Sequence, residues 1–234
     1  MLILGIESTA RAASVALVRD GELLGTCYQR CGLTHSQTLL PMAEALLKNT
    51  GTVLSGLDCV AVAHGPGSFT GVRIGVATAK GLCWGADIGA VGVSTLEAMS
   101  FLALSAPAEC VICPAMDARR SQVYNALFEI RDGRPQRLTP DRAISAAELC
   151  GELRGMDRPV YVLGDGWEVM SAALADAALP FTLAPEPIRW QNAWGVCMAA
   201  AGKAPQSAEA LLPVYLRLSQ AERERQERME KQNY

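Results

Sequence analysis

The residues best suited to chemistry lie in a glycine- and proline-rich stretch that joins an apolar run to a helix-like pattern. It covers residues 64–75 and reads HGPGSFTGVRIG. Gly65 and Gly67 permit a tight turn, and Ser68 or Thr70 can cap the start of a helix. Because the free N–H groups of a helix N-terminus attract negative charge, such a loop can take an anion. The sequence lacks the Gly-Lys-Ser/Thr ending of a Walker A loop, so this is not a triphosphate cradle of that type.

Histidine and cysteine, which often hold transition metals, are not clustered in this sequence. The histidines are His35 and His64, 29 residues apart on different predicted elements, so no pair shares one helix face. Cys110 and Cys113 form a Cys-x-x-Cys pair, but strand positions three apart point to opposite faces. We therefore predict no metal site, two histidines in local hydrogen bonds, and eight reduced cysteines that lie mostly in the core.

The composition is that of a globular protein without a strong charge bias. Of the 234 residues, 50% are hydrophobic and 19% are charged, and the formal net charge is -3. A free-standing nucleic-acid binder normally carries a large basic excess, so any role with RNA requires a partner that supplies phosphate contacts. The first residues do not resemble a signal peptide, and no stretch reaches the roughly 18 apolar residues of a membrane span. We expect a cytoplasmic protein with no membrane contact.

Two similar series of elements follow one another along the chain. Apolar runs and turn signals predict the order βββ-α-β-α-β-α up to about residue 105, and βββ-α-β-α after it. Thr34, Ser94 and Ser145 each precede a Gln or Glu by three residues, which is the capping-box pattern of a helix start. This order indicates a mixed sheet covered by helices, formed twice. The predicted strands are residues 2–6, 13–18, 23–28, 57–63, 88–93, 111–116, 122–130, 136–138 and 160–163.

The helix predicted after the Gly/Pro loop carries small residues on one face. Gly71, Gly75 and Ala79 recur at four-residue spacing. Small residues let a sheet or another helix approach closely, although glycine lowers helix propensity. Tight packing alone accounts for Gly71 and Gly75, and the same helix is also a candidate for an association surface.

Several segments together resemble the TsaB (YeaZ) family. The longest motif is residues 65–75, GPGSFTGVRIG, and a related Gly-Pro-Gly segment occurs in the catalytic relative TsaD. The resemblance runs over nearly the whole chain. The other matching segments are residues 2–9 (LILGIEST), 34–37 (THSQ), 92–96 (GVSTL), 117–120 (DARR), 123–124 (VY) and 213–217 (PVYLR).

The resemblance implies a fold and a division of the chain. The fold is α/β, the actin-like and Hsp70-like ATPase fold, with two ribonuclease-H-like halves of mixed sheets flanked by helices. We predict a ribonuclease-H-like domain at residues 1–105 and a second, degenerate one at 106–205. A C-terminal segment, 206–234, is expected to pack back on the first domain and to end in a solvated helix, because its charges alternate at 220–231.

The resemblance also implies a function. TsaB proteins are regarded as non-catalytic partner subunits in the synthesis of tRNA threonylcarbamoyladenosine (t6A). They bind and support the catalytic subunit TsaD together with the ATPase TsaE, form homodimers when alone, and meet tRNA only through the complex. The helices that begin near Thr34 and Ser68 resemble those of the family's dimer surface. The candidate contacts on them are Leu39, Met42, Ala43, Leu46, Phe69, Arg73, Val76, Ala77 and Lys80.

A second candidate region is the polar cluster of Asp117, Arg119 and Arg120. Active members of this fold have an acidic residue after the first strand, and here Glu7 stands at that place. They also have a glycine-rich turn that binds phosphate in the second half. Here charged, bulky side chains stand in that turn, so we expect weak or no nucleotide binding and assign no cofactor. The cluster is either a turn capped by Asp117 or a contact to a partner or anion.

Two enzymatic hypotheses remain beside the partner subunit. One is an ATP-dependent small-molecule kinase or ATPase of the same fold, which requires nucleotide affinity and a base positioned for phosphoryl transfer. The other is a metalloprotease, which has the least support because the sequence contains no paired histidines. We assign no catalytic residue and no metal ligand.

Overall fold

The first part of the chain forms a five-stranded mixed sheet. A computed structural model describes residues 1–217, so the helix expected at 220–231 lies outside the described residues. The strands β1, β2 and β3 pair antiparallel as a meander, whereas β4 and β5 run parallel to β1, in the order β3-β2-β1-β4-β5. The elements are β1 (Leu2–Glu7), β2 (Ala13–Arg19), β3 (Glu22–Gln29), α1 (His35–Asn49), β4 (Cys59–Ala63), α2 (Phe69–Ala86), β5 (Gly89–Val93) and α3 (Thr95–Ser100).

The second part forms a seven-stranded sheet whose central path is β10-β7-β6-β11-β12, with β8 paired to β6 and β9 paired to β8. Its strands are β6 (Val111–Asp117), β7 (Gln122–Asn125), β8 (Phe128–Arg131), β9 (Arg134–Arg137), β10 (Arg142–Ser145), β11 (Val160–Leu163) and β12 (Phe181–Leu183). Its helices are α4 (Ala146–Met156), α5 (Trp167–Asp176) and α6 (Glu186–Arg189), and α7 (Ala193–Ala200) follows. No helix within residues 1–217 has the length and apolar character required to cross a membrane.

The two sheets have the same topology. In the first sheet, β1 pairs antiparallel with β2 and parallel with β4, β3 lies outside β2, and β5 lies outside β4. In the second sheet, β6, β7, β10, β11 and β12 take the places of β1, β2, β3, β4 and β5, and β8 and β9 are additional. The helices also take equivalent places, since α4 and α5 follow β10 and β11 as α1 and α2 follow β3 and β4. The predicted fold of two ribonuclease-H-like halves is therefore confirmed.

The chain crosses back to the first sheet near its end. Helix α7 packs on β1 and β2, and Gly5 makes room for it because a Cβ there would lie 2.5 Å from Cys197 Sγ. Gln206 then forms a β-bridge with Ala90, and Leu211 is buried in the core under α1 and α2. The stretch predicted as the second domain thus contains a helix that covers the first sheet, and the division at residues 105 and 205 stays a prediction.

The three predicted capping boxes differ in the structure. Ser145 and Glu148 form a complete box at the start of α4. Ser94 accepts the Glu97 N–H, but the Glu97 carboxylate pairs with Lys203 at 2.7 Å. Thr34 makes no side-chain cap at α1, so the box predicted there is wrong.

The single strand predicted at residues 122–130 is two strands, because Pro114 interrupts the neighbouring ladder. Proline has no N–H to donate, and β6 pairs with β7 on one side of it and with β8 on the other. Asn125 turns its side chain inward and donates to the Pro114 carbonyl at 2.9 Å. Cys110 and Cys113 lie in different core clusters on the two sides of β6, as strand geometry predicted. All eight cysteines are free thiols, and six are buried.

The small residues of α2 divide into two groups. A Cβ on Gly71 would collide with the Ser8 carbonyl, and one on Gly75 with the Ser8 hydroxyl, so these positions pack tightly as predicted. The Ser8 hydroxyl also donates to the Gly71 carbonyl at 2.9 Å. Gly81 lies two turns further on the exposed side, and a Cβ there would meet nothing within 4 Å.

These contacts predict opposite effects for the same substitution in one helix. Gly71→Ala should lower the free energy of unfolding by about 2 kcal/mol through overpacking against Ser8 in the turn after β1. Gly81→Ala should raise it by up to about 1 kcal/mol, because alanine has the higher helix propensity. Urea unfolding of both variants measures the difference. Equal effects at the two positions would contradict the close approach of α2 to Ser8.

Candidate functional site

The Gly/Pro loop between β4 and α2 is packed against two other segments of the chain. Gly65 has φ +125° and lies against the Val214 backbone, and Gly67 lies against Thr9. The Ser68 N–H donates to the Thr9 carbonyl at 2.7 Å, and the Ser68 hydroxyl accepts the Gly71 N–H. The loop therefore starts α2 and connects it to the turn after β1, while residues 213–217 cover its outer side.

A cleft of about 700 Å³ lies where the two halves meet. The turn after β1, the loop that starts α2, the turn after β6, Tyr124 of β7 and Asp165 after β11 line it. Residues 214–217 form a further wall, since the Arg217 guanidinium donates to the Ala118 carbonyl at 2.7 Å and thereby ties the end of the described chain to the second half. The polar lining includes Arg11, Asp117, Arg119 and Asp165.

Two carboxylates with raised pKa values, Glu7 and Asp165, lie near this junction and come from opposite halves. Glu7 ends β1 and is 1% exposed, and its Oε1 accepts hydrogen bonds from the N–H and the hydroxyl of Thr9, both at 2.6 Å. Burial raises the pKa of Glu7 to about 7, and the charge of Asp165 adds to this. Asp165 follows β11, and burial raises its pKa to about 6 although Gln191 donates to its Oδ1 at 2.6 Å.

The predicted cluster of Asp117, Arg119 and Arg120 is only partly brought into the cleft. Asp117 accepts the Arg119 N–H at 2.7 Å, as expected for an aspartate that caps a turn. Arg119, Arg120 and Ser121 all have positive φ, which turns the backbone sharply. Asp117 and Arg119 line the cleft, whereas Arg120 does not. Sequence reasoning missed Arg11 and Asp165, although the short Gly164-Asp165-Gly166 segment after a strand was a signal for the second.

Both histidines contact segments that are distant in the sequence. His35 Nε2 lies 2.8 Å from the Ala10 carbonyl, which ties the start of α1 to the turn after β1. The His64 carbonyl accepts the Val214 N–H at 2.7 Å, and burial lowers the pKa of its imidazole. Among residues 1–217, no three His, Cys, Asp or Glu side chains lie close enough to hold a metal ion.

Four of the nine candidate partner contacts belong to the core, which corrects the sequence prediction at these positions. Leu39, Ala43, Leu46 and Val76 are at most 4% exposed and pack on the first sheet. The helical spacing of the apolar residues predicted one apolar face on each helix. It did not show that this face covers the chain's own sheet and is therefore not free for a partner.

Three further candidates on α2 contact residues 206–217, which we call the C-terminal strap. The Phe69 ring stacks on Tyr215 with centroids 4.7 Å apart. Arg73 lies over Phe69 and donates to the Tyr215 hydroxyl at 2.9 Å, while Lys80 donates to the Leu211 carbonyl at 3.1 Å. These side chains therefore fasten the strap to α2.

Besides the side that packs on the sheet and the side that contacts the strap, α2 has a third side. No other part of the described chain covers that side or the outer side of α1. Ala77 is exposed and Met42 is half-buried, which completes the nine candidates. Leu40 is 53% exposed on α1, and Gly81 and Gly85 leave a bare surface on α2. We call Leu40, Ala77, Gly81 and Gly85 the outer helix face.

The buried carboxylate of Glu7 predicts a pH dependence of stability. Its pKa in the folded chain, about 7, exceeds the ordinary value of 4.5, so the folded state binds the proton more tightly. The free energy of unfolding then falls as pH rises from 4.5 through 7. Glu7→Gln should remove this loss and stabilise the protein at pH 8 by up to about 3 kcal/mol, with little effect at pH 4.5.

Thermal unfolding of Glu7→Gln across this pH range measures the effect, and Glu148→Gln is a control of opposite sign. Hydrogen bonds from Ser145 lower the pKa of Glu148, so its carboxylate stabilises the fold above its unfolded pKa and loses this effect as pH falls. A Glu7→Gln shift that is the same at every pH would show that Glu7 does not titrate in this range.

Comparisons with known proteins identify the family. A model described as TsaD, tRNA N6-adenosine threonylcarbamoyltransferase, matches residues 29–189. The TsaB protein of Bacillus subtilis strain 168 is 32% identical over 95% of this chain and 96% of its own length, and that of Escherichia coli K12 is 34% identical over 72% and 73%. The structure of YeaZ from Pseudomonas aeruginosa matches with TM-score 0.76 at 26% identity, over 92% of this chain and 99% of that one. The chain therefore belongs to the TsaB family of tRNA threonylcarbamoyladenosine biosynthesis proteins.

Proposed function

We propose that this chain is a non-catalytic subunit in t6A synthesis that docks a TsaD-type catalytic subunit on its outer helix face. The observation that carries the proposal is the bare helix surface at Gly81 and Gly85. No contact within the described chain requires glycine at these two positions, because a Cβ there would meet nothing within 4 Å. Gly71 and Gly75 in the same helix are required by packing on Ser8, so the two pairs of glycines have different causes. A helix surface without side chains lets another helix approach closely.

The neighbouring residues suit such a contact. Leu40 is a large apolar side chain left 53% exposed, and Ala77 is exposed beside the two glycines on α2. The two helices contact each other and are fixed to the sheet by their buried sides, so the exposed positions on each helix are held rigidly. Burial of apolar area and close packing, without a deep pocket, are the usual sources of affinity in a stable protein–protein interface.

The same face is a candidate for self-association when the catalytic subunit is absent. The small formal charge of -3 fits a subunit that meets tRNA only inside the complex, where partners provide most of the phosphate contacts. We place the TsaE-type ATPase in the same assembly. Asp117, Arg119 and Arg120 remain a candidate contact of the cleft with a partner.

The docking proposal predicts the effect of charge on the outer helix face. The double variant Leu40→Glu and Ala77→Glu should weaken binding to the catalytic subunit of the same organism by roughly a hundredfold, because it buries two unpaired carboxylates. Both positions are exposed in the free chain, so thermal stability should stay near that of the unchanged protein. Calorimetric titration measures the affinity.

Leu138→Glu is the matched control, since Leu138 is 40% exposed on the second half, away from α1 and α2. It should leave the affinity unchanged. Undiminished binding by the double variant would place the contact elsewhere on the chain.

The non-catalytic role predicts the result of reconstitution. Threonylcarbamoyl transfer to tRNA by the catalytic subunit should depend on this chain, whereas the chain with ATP and Mg²⁺ should turn over no nucleotide alone. The physical reason lies in the turn after β6. A bound phosphate requires free backbone N–H groups there, and the bulky side chains of Arg119 and Arg120 occupy that turn instead. Steady ATP hydrolysis by the purified chain would instead support the kinase or ATPase hypothesis.

A further inference from the structure

A second cavity, of about 600 Å³, lies where α1 and α2 begin, and we call it the helix-start pocket. The segment that follows β3 and Trp190 of the second half complete its lining. It shares Arg11, Ser68 and Thr70 with the cleft, so the two cavities adjoin each other. No residue of the outer helix face lines it. The helix-start pocket is therefore separate from the surface proposed for docking.

The lining of the helix-start pocket contains two arginines and no carboxylate. Arg11 forms no ion pair with any carboxylate within residues 1–217. Burial raises the pKa of Asp165 and the charge of Arg11 opposes this rise, but Asp165 lies outside the pocket. Arg30 stacks on the Trp190 ring at 3.9 Å, and its guanidinium lies 3.6 Å from Glu186, an acid that is 63% exposed and also outside the pocket. The cavity itself is thus positively charged.

Hydrogen-bond donors surround the same space. Thr34, Ser68 and Thr70, which carry hydroxyl groups, line the pocket. Neither α1 nor α2 has an acidic residue in its first turn, and the Thr34 side chain does not cap α1. The first N–H groups of a helix have no partner within the helix and carry partial positive charge. The two helix starts therefore add to the attraction that the arginines exert on an anion.

His35 adds an independent sign of a missing partner. It lines the pocket, and its Nε2 lies 2.8 Å from the Ala10 carbonyl. Because a carbonyl only accepts, Nε2 carries the ring proton. Nδ1 of the same ring is buried with no hydrogen-bond partner within residues 1–217, whereas a buried polar atom normally has one.

A phosphate group suits this set of residues better than a carboxylate does. One guanidinium group satisfies a carboxylate, whereas a phosphate has enough oxygens to bind two guanidinium groups and further hydroxyl and N–H donors. Near neutral pH, a free phosphate also carries a hydroxyl, which is the kind of donor that a neutral Nδ1 of His35 accepts. Leu33, Ile74 and Trp190 form an apolar part of the lining, on which the organic group of a phosphate monoester can pack.

We propose that the helix-start pocket binds a phosphate group, either as the free anion or as the head of a small phosphate monoester. Arg11 and Arg30 pair with its oxygens, and the hydroxyl and N–H groups at the start of α2 donate to the others. This site does not depend on the docking proposal, because it uses none of the residues of the outer helix face.

The probes are inorganic phosphate and phenyl phosphate, titrated separately into the full chain at pH 7 and constant ionic strength by calorimetry. Saturable binding of one molecule is expected, with a Kd on the order of 1 mM. Tighter binding of phenyl phosphate would assign the site to a monoester, and tighter binding of inorganic phosphate would assign it to the free anion. Acetate should bind at least about tenfold more weakly than the better phosphate probe, because it satisfies only one guanidinium group.

Arg11→Gln removes one guanidinium group and should weaken phosphate binding at least about tenfold. Arg19→Gln is the matched control, because Arg19 is an exposed arginine at the end of β2 that does not line the pocket. It makes the same change of net charge and should leave the affinity unchanged. Unfolding temperatures of both variants separate loss of binding from loss of fold.

Three results would each overturn the phosphate site. They are the absence of saturable binding by both phosphate probes, equally tight binding of acetate, and the same affinity in Arg11→Gln as in Arg19→Gln.

Discussion

The close contact between the turn after β1 and the first turns of α2 is the constraint on which the rest of the structure depends. Ser8 fills the space left by Gly71 and Gly75, and its hydroxyl donates to a carbonyl of the helix. The axis of α2 is thereby held against the centre of the sheet. The Gly/Pro loop that precedes the helix then has to turn tightly past Thr9, which sets one wall of the cleft. The outward side of α2 is fixed by the same contact, because a rigid helix has only one orientation once its buried face is set.

Three sides of α2 therefore have three different occupants. One side packs on the sheet, a second carries the C-terminal strap, and a third is left uncovered by residues 1–217. Arg73 and Lys80, which the sequence analysis named as candidate contacts with another protein, donate to the strap instead. The strap in turn reaches the second half through Arg217. The helix proposed for docking is thus also the helix that positions the wall of the cleft, so the two candidate sites share one rigid support.

The sequence predicted the order and kind of most elements, because apolar period and turn residues act locally. It also predicted tight packing at Gly71 and opposite faces for Cys110 and Cys113, since both follow from the geometry of a single helix or strand. It did not predict which side of α1 and α2 faces outward. Leu39 and Leu40 are equally apolar, and which of them is buried depends on how the helix packs on the sheet. The capping box at Thr34 failed although its residue pattern was correct.

Contacts between distant parts of the chain were the least predictable. Arg73 meets Tyr215 across 142 residues of sequence, and α7 inserts its small residues beneath a strand near the N-terminus. The carboxylates Glu7 and Asp165 come from opposite halves, and neither has a neighbour in sequence that indicates the other. Burial of this pair depends on how the halves meet, which a local pattern does not contain. The rings of Phe69, Tyr124 and Tyr215, which line the cleft, likewise come from three separate segments of the chain.

The return of α7 and the strap to the first sheet has a consequence for biosynthesis. A ribosome releases the N-terminal strands first, but one face of their sheet is covered by α7, which begins at Ala193, and Leu211 completes the core on the other face. Until nearly the whole described chain has left the exit tunnel, the nascent N-terminal half must expose apolar strands to solvent. Such a chain should engage chaperones during translation and complete its folding only after synthesis, unlike proteins whose first domain closes upon itself.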